Sequence, residues 1–242
     1  MSLSGRRSLV MGGSSGIGEA VARLFAERDA EVVITGRDPV RLDAAAGRIG
    51  GKVTARRVDG CSSEEVSDFF AEDVRYDHLV LALSGGSGAG PFATLDLDGL
   101  RDGFERKVWP YLRILQAALP RMTEGGSVTL LTASSARAAL PGTAGLAAIN
   151  GALEAMVPPL AAELAPLRVN AVSPGVIDTP WWSGLPEERR AAMFAEYAAA
   201  LPVGRVGRPE DVAEAVLLVA TNGFMTGEVV PVNGGLGLRT GH

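Results

Sequence analysis

A chain of 242 residues, 47% hydrophobic and 21% charged, with 31 glycines and a net charge of −5, has the length and composition of one large α/β domain rather than of a disordered segment. Its arginines are scattered, which excludes a basic footprint for nucleic acid or an anionic membrane. A lone cysteine, Cys61, excludes an internal disulfide, and His78 and His242 lack partners at ligand spacing, so no metal is expected. No apolar run approaches the ~18 residues of a membrane span, and "MSLSGRRSLVMGG" is too weakly apolar for a signal peptide. The expectation is a soluble cytoplasmic protein.

The first strand is predicted at 8–11. It runs directly into "VMGGSSGIGEAVARLFAE" (10–27), a GxxxGxG turn that opens a helix at about 16–28. Glycines there let the backbone turn tightly and approach a pyrophosphate, which then rests on the free N–H groups of the helix start. Gly12, Ser14, Ser15, Gly16, Ile17 and Gly18 are the candidate contacts. A second strand at 31–35 ends in "ITGRD", where a carboxylate would accept bonds from an adenosine ribose and repel a 2′-phosphate. This chain has Gly36 and then Arg37, whose fork of donors suits that phosphate, so NADP(H) is preferred and NAD(H) is not excluded.

A helix at 39–49, a strand at 52–58, a helix at 63–73 and a strand at 78–83 follow, then a long helix at 99–122 and a strand at 127–132. An apolar helix at 143–165, a strand at 168–172, a helix at 209–221 and a strand at 228–232 complete the alternation. Short β-branched strands alternating with helices predict a Rossmann-type, doubly wound α/β fold: a seven-stranded parallel sheet with helices on both faces, in one domain over 1–242. Residues 178–206, rich in Trp, Pro and Gly and then helical, break the rhythm and read as an inserted helical lid.

These stretches together resemble the short-chain dehydrogenase/reductase family, from residue 5 to 236. "RRVDGCS" puts Asp59 where the family has an adenine-contacting acid. "SPGVIDTP" (173–180) carries the PGxIxT motif, which implies that Pro174, Gly175, Ile177 and Thr179 flank the nicotinamide. "GRPEDVAEAVLLVA" and "TGEVVPVNGG" match the closing helix and strand, with Asn233 where Asp is usual. After the fourth strand, "LALSGG" keeps only small residues and Gly85 of the family's Asn-Asn-Ala-Gly run, with Ser84 as the candidate cofactor contact.

The family transfers hydride and moves the paired proton through Tyr and a Lys four residues on, with a Ser holding the substrate oxygen and an Asn on the preceding helix. The resemblance carries those positions to Leu146, Asn150, Ala133 and Lys107, so all four identities have changed. Lys107 is a candidate acid or phosphate contact, or a helix lysine reaching solvent. Ser134 can replace Ala133 if the strand end bulges, or Ser134 and Ser135 only cap the turn. Asn150 can hold a ribose hydroxyl but cannot act as an acid. Tyr111 reads as packing; Tyr197 lies in the lid, where closure can bring it inward; Trp181 and Trp182 are a substrate wall or lid packing.

Two functions follow. An NADPH-dependent reductase without the usual acid would act on a small activated or cationic acceptor, since acid–base help is worth about 10²–10⁴-fold to a ketone. The alternative is a non-catalytic NADP(H)-binding sensor or scaffold. The resemblance implies a homo-oligomer, dimer or tetramer, but Pro158 and Pro159 fall in the usual interface helix and predict a kink there.

Overall fold

The computed structural model describes residues 2–238, so His242 lies outside the described residues. Seven strands form one sheet: β1 (Arg7–Met11), β2 (Glu31–Gly36), β3 (Val53–Arg57), β4 (Tyr76–Leu81), β5 (Met122–Leu131), β6 (Arg168–Pro174) and β7 (Val229–Val232). All pairings are parallel, in the order β3-β2-β1-β4-β5-β6-β7. The order reverses between β1 and β4, which opens a crevice beyond their carboxyl ends. β5 starts earlier than expected because Met122 pairs with Tyr76 ahead of a register shift near His78.

The helices are α1 (Gly16–Ala26), α2 (Pro39–Ile49), α3 (Ser63–Ala71), α4 (Leu97–Ala118), α5 (Ala144–Glu163), α6 (Glu187–Ala200) and α7 (Pro209–Thr221). Two apolar clusters cover the two faces of the sheet. Phe25 of α1, Leu42 of α2 and Val216 of α7 pack with Val10 and Ile34 on one face. Phe70 of α3, Ile114 of α4 and Leu153 of α5 pack with Leu9 and Leu79 on the other. Both faces of the sheet are thereby covered, which leaves the crevice at the strand ends open.

α5 contains Pro158 and Pro159 yet runs unbroken as a helix from Ala144 to Glu163. Both prolines are exposed, as is Ala155, whose carbonyl loses its helical partner to Pro159. Pro110, inside α4, is a third mid-helix proline, and unlike the other two it is buried. By length and mean hydropathy (1.2) α5 would suit a membrane span, contrary to the expectation from apolar runs. Its Ile149, Leu153, Val157 and Ala161 are instead buried in the core beneath the sheet. The expected lid segment holds a 3-10 turn at Pro180–Gly184 followed by α6.

His78 of β4 is buried and its Nδ1 lies 2.8 Å from the Ser127 hydroxyl. Burial lowers its pKa to about 4, against the opposing pull of Asp77. The unfolded chain therefore takes up this proton below pH ~6.5 while the folded chain resists until about pH 4. Stability should fall through that window, by about 3 kcal/mol in the limit. Urea midpoints at pH 7 and pH 5 check this: the drop should shrink markedly in His78→Asn, and an equal drop in both proteins would remove His78 from the account.

Candidate active site

β1 delivers the chain into a turn that only glycine can make. Gly12 has φ +90°, and a Cβ there would stand 2.7 Å from the Ala82 carbonyl oxygen. A Cβ on Gly13 would lie 2.8 Å from the Ile34 side chain, and one on Gly18 only 2.2 Å from the Gly12 carbonyl oxygen. The end of β1, the start of α1 and the end of β4 are thus pressed together at the crevice. α1 begins at Gly16, and the Ser15 side chain makes no capping bond, so it does not occupy the free N–H groups of the first turn. Ile17 sits in that turn, half-buried. These residues fit a pyrophosphate: the backbone is open where side chains would block it.

Other sequence-predicted contacts converge on the same crevice. Thr179 lies 3.4 Å from where a Gly16 Cβ would be, and the Ser14 hydroxyl stands 3.1 Å from the corresponding point on Gly36. Arg37, next along β2, is exposed and has no ion-pair partner among the described residues. Its neighbour Asp38 is committed to α2, accepting from the N–H groups of Val40 and Arg41 at 3.0 and 3.1 Å. Asp59 closes a local turn by accepting from the Cys61 N–H at 3.0 Å. Ser84 is exposed just past β4.

The segment after β6 is locked in place. Pro174 ends the strand, and the Gly175 N–H donates to the Val232 carbonyl at 2.9 Å. A Gly175 side chain would strike Asn233. Ile177 is buried and bridged to Gly207, and its carbonyl accepts from the Trp182 indole N–H at 2.8 Å. Trp181 and Trp182 meet edge to face, as do Trp182 and Phe194 of α6. Tyr197 lies half-buried on α6.

The centre of the crevice differs from the expectations in detail. Lys107 of α4 does not reach solvent: it is 8% exposed, and its Nζ donates to Asn150 Oδ1 of α5 at 2.8 Å. Burial lowers its pKa to about 8, with the Glu154 carboxylate pulling the other way. Asn150 Nδ2 donates to the Leu146 carbonyl at 2.9 Å and to the Ser135 hydroxyl at 3.3 Å. Ser134, the second candidate, sits in the turn after β5. Its hydroxyl is buried and donates to the Ser173 carbonyl at 3.0 Å, because a 3-10 turn at Ser134–Ala136 rotates successive side chains by a third of a turn. Ser135, half-buried, is the hydroxyl that faces Asn150.

Tyr111 is structural. It is buried, its hydroxyl lies within 3.1 Å of the Leu81, Leu83 and Leu131 carbonyls, and burial raises its pKa. Glu154, one turn beyond Asn150, is the one charged residue of "GLAAINGALEAM" (145–156). Its carboxylate accepts from Thr132 and Ser173 hydroxyls at 2.8 Å each and from Arg137 Nε at 2.7 Å, tying α5 to β5 and β6. Among the described residues no group of His, Cys, Asp and Glu could hold a metal.

Comparison with known proteins agrees with this architecture. The profile of the family described as Enoyl-(Acyl carrier protein) reductase matches residues 12–237. The short-chain dehydrogenase/reductase malC of Malbranchea aurantiaca is 30% identical over 98% of this chain and 96% of its own. The solved structure of that organism's MalC reductase/Diels-Alderase matches with a TM-score of 0.88 at 27% identity, covering 98% of both chains. A small-chain dehydrogenase solved in complex with NADPH matches with a TM-score of 0.84 at 31% identity, over 97% of this chain and 99% of that one. With a doubly wound parallel sheet, a glycine turn at its crevice and relatives alike over nearly their whole length, the chain belongs to the short-chain dehydrogenase/reductase family of oxidoreductases.

Proposed function

We propose that this protein is an NADP(H)-dependent oxidoreductase that transfers hydride to a small activated acceptor without the family's Tyr–Lys proton donor. The observation that carries the reading is a contrast within one crevice. The glycine turn tolerates no Cβ at Gly12 or Gly18, while the family's Tyr position is Leu146, a side chain with no proton to give. When bound, the nicotinamide supplies the hydride. Gly12, Ser14, Ser15, Gly16, Ile17 and Gly18 hold its pyrophosphate, Arg37 the 2′-phosphate, and Asp59 and Ser84 the adenosine side. Asn150, Pro174, Gly175, Ile177 and Thr179 hold the nicotinamide side, and residues 178–206 close over the acceptor. A simple ketone reduced here leaves an alkoxide that must be protonated at once; an activated acceptor does not.

Titration of nicotinamide fluorescence with NADPH and NADH tests the cofactor half. NADPH should bind in the micromolar range, at least about tenfold more tightly than NADH, because a charge-assisted bond is worth ~1.5–3 kcal/mol. Arg37→Ala should weaken NADPH by about 10- to 100-fold and leave NADH nearly as it was. Equal weakening of both would take the 2′-phosphate away from Arg37. Tight NADPH binding with no turnover of any activated acceptor would replace the enzyme with the non-catalytic sensor.

A further inference from the structure

We infer that the groove at the amino ends of β1, β2 and β3 is a second small-molecule site, built for an aromatic monocarboxylate and separate from the cofactor crevice.

The sheet leaves this place open. The crevice lies beyond the carboxyl ends of the strands, whereas Arg7, Glu31, Val53 and Tyr76 are the first residues of β1, β2, β3 and β4. Side chains alternate along β2: Val32 and Ile34 are buried on one face, while Val33 points to the other and is only half-buried. β3 is the edge strand, and its Thr54 and Arg56 are exposed. An open groove of about 410 Å³ results, to which Val33, Val74 and Tyr76 give an apolar lining. That volume falls within the ~300–1,000 Å³ of small-molecule sites.

Tyr76 is the observation that points to a ligand. It is 5% exposed, and its ring stacks on Phe69 with centroids 6.5 Å and planes 17° apart. A buried tyrosine hydroxyl ordinarily finds a partner, as that of Tyr111 does in three carbonyls. The Tyr76 hydroxyl has none among the described residues, yet it is not one of the polar atoms sealed in the core. Arg7, Arg56 and Glu72 all act on it and all line the groove, so it opens there. Burial, more than the Glu72 charge, raises its pKa, so at neutral pH the phenol keeps its proton and donates.

Charge selects the ligand. Arg7 binds Glu31 at 2.9 Å, and Arg56 binds Glu72 through both terminal nitrogens. Lys52 lines the groove, is exposed, and has no ion-pair partner among the described residues. The groove therefore holds one positive charge in excess beside one free phenol, which matches a single carboxylate. A guanidinium whose donors are engaged still stacks on aromatic faces, as Arg56 does on Phe69 at 5.6 Å. A flat aromatic body thus suits the valine lining, with its carboxylate taken by Lys52 and the Tyr76 hydroxyl. Charges along an edge strand also discourage strand pairing, but that role leaves a buried phenol without a partner unexplained.

The chain has two lysines, Lys107 in the crevice and Lys52 in the groove. Protein labelled with carbon-13 at lysine Cε therefore reports each place by one signal, and Lys52→Arg, which removes one of them, assigns both. The probe is 2-naphthoate, with 2-naphthamide as its uncharged counterpart, titrated with and without excess NADP⁺. Naphthoate should move the Lys52 signal saturably, leave Lys107 in place and bind equally well with NADP⁺ present. Naphthamide should bind at least about tenfold more weakly, and Tyr76→Phe should weaken naphthoate about tenfold, the worth of a hydrogen bond to a charged group. The thermal stability of Tyr76→Phe should stay near the parent's, because the lost hydroxyl bonds nothing else in the protein. Lys52→Met, followed by naphthoate fluorescence, should weaken binding about two- to fivefold, as for an exposed ion pair. A Lys52 signal blind to naphthoate, or a Lys107 signal that moves in its place, would overturn the site. So would naphthamide bound as tightly as naphthoate, or naphthoate bound as tightly by Tyr76→Phe as by the parent. If Tyr76→Phe does not fold, the naphthamide comparison decides. None of these readouts needs turnover, so their failure and that of the oxidoreductase reading are separate results.

Discussion

Gly18→Ala is expected to cost about 3 kcal/mol or more of stability and to abolish measurable NADPH binding, although one methyl group is all that is added. The new Cβ would stand 2.2 Å from the Gly12 carbonyl oxygen, about 1 Å inside van der Waals contact. The oxygen cannot yield: Gly12 is itself held by donating its N–H to the Thr35 carbonyl at 3.1 Å and is pressed against Ala82. α1 must therefore back away from β1, and the N–H groups of its first turn leave the phosphate position. Gly47 provides the opposite case. It lies exposed inside α2 with nothing within 4 Å of its would-be Cβ, so Gly47→Ala should stabilise by about 0.5–1 kcal/mol. Thermal or urea unfolding of both variants, with NADPH titration of each, reads the contrast. A Gly18→Ala protein as stable as the parent and still binding NADPH would show that the turn is looser than its packing implies.

The sheet was legible because its signals are local. Each strand is a short β-branched run such as "EVVIT" or "HLVLAL", and the glycine turn announces itself by position, directly after the first of them. The centre of the site was legible only as a set of changed identities. That Lys107 meets Asn150, 43 residues away, depends on how α4 and α5 cross, which neither helix encodes by itself. The different surroundings of Ser134 and Ser135 were hidden for a related reason. Alternation along β5 stops at Leu131, and the 3-10 turn that follows turns Ser134 into the interior and Ser135 outward. Pro158 and Pro159 do not end α5, which runs on to Glu163 with both prolines exposed. Glu154 was the one charge in "GLAAINGALEAM", but its partners Thr132, Ser173 and Arg137 come from other elements.

Moving the cation from one helix to the other should create a ketone reductase. The triple variant Lys107→Asn, Leu146→Tyr, Asn150→Lys keeps one buried cation near Glu154 and hands it to α5, where it lies one helical turn from the new phenol. A lysine at 150 also releases the Leu146 carbonyl from the amide that now binds it at 2.9 Å. The phenol then has what Leu146 lacks, a proton and a neighbouring charge that eases its release. Rates on simple ketones should rise by about 10²–10⁴-fold, the usual worth of a positioned acid. Rates on an activated acceptor should change much less, because its reduction leaves no alkoxide that must be protonated at once. Leu146→Tyr alone should gain far less, since its phenol would have no lysine on its own helix face. If the triple variant folds, binds NADPH and still leaves ketones untouched, the crevice around residue 146 does not bring an acceptor within reach of a phenol. The absence of an acid would then reflect a different placement of the substrate, not a different choice of chemistry at the same place.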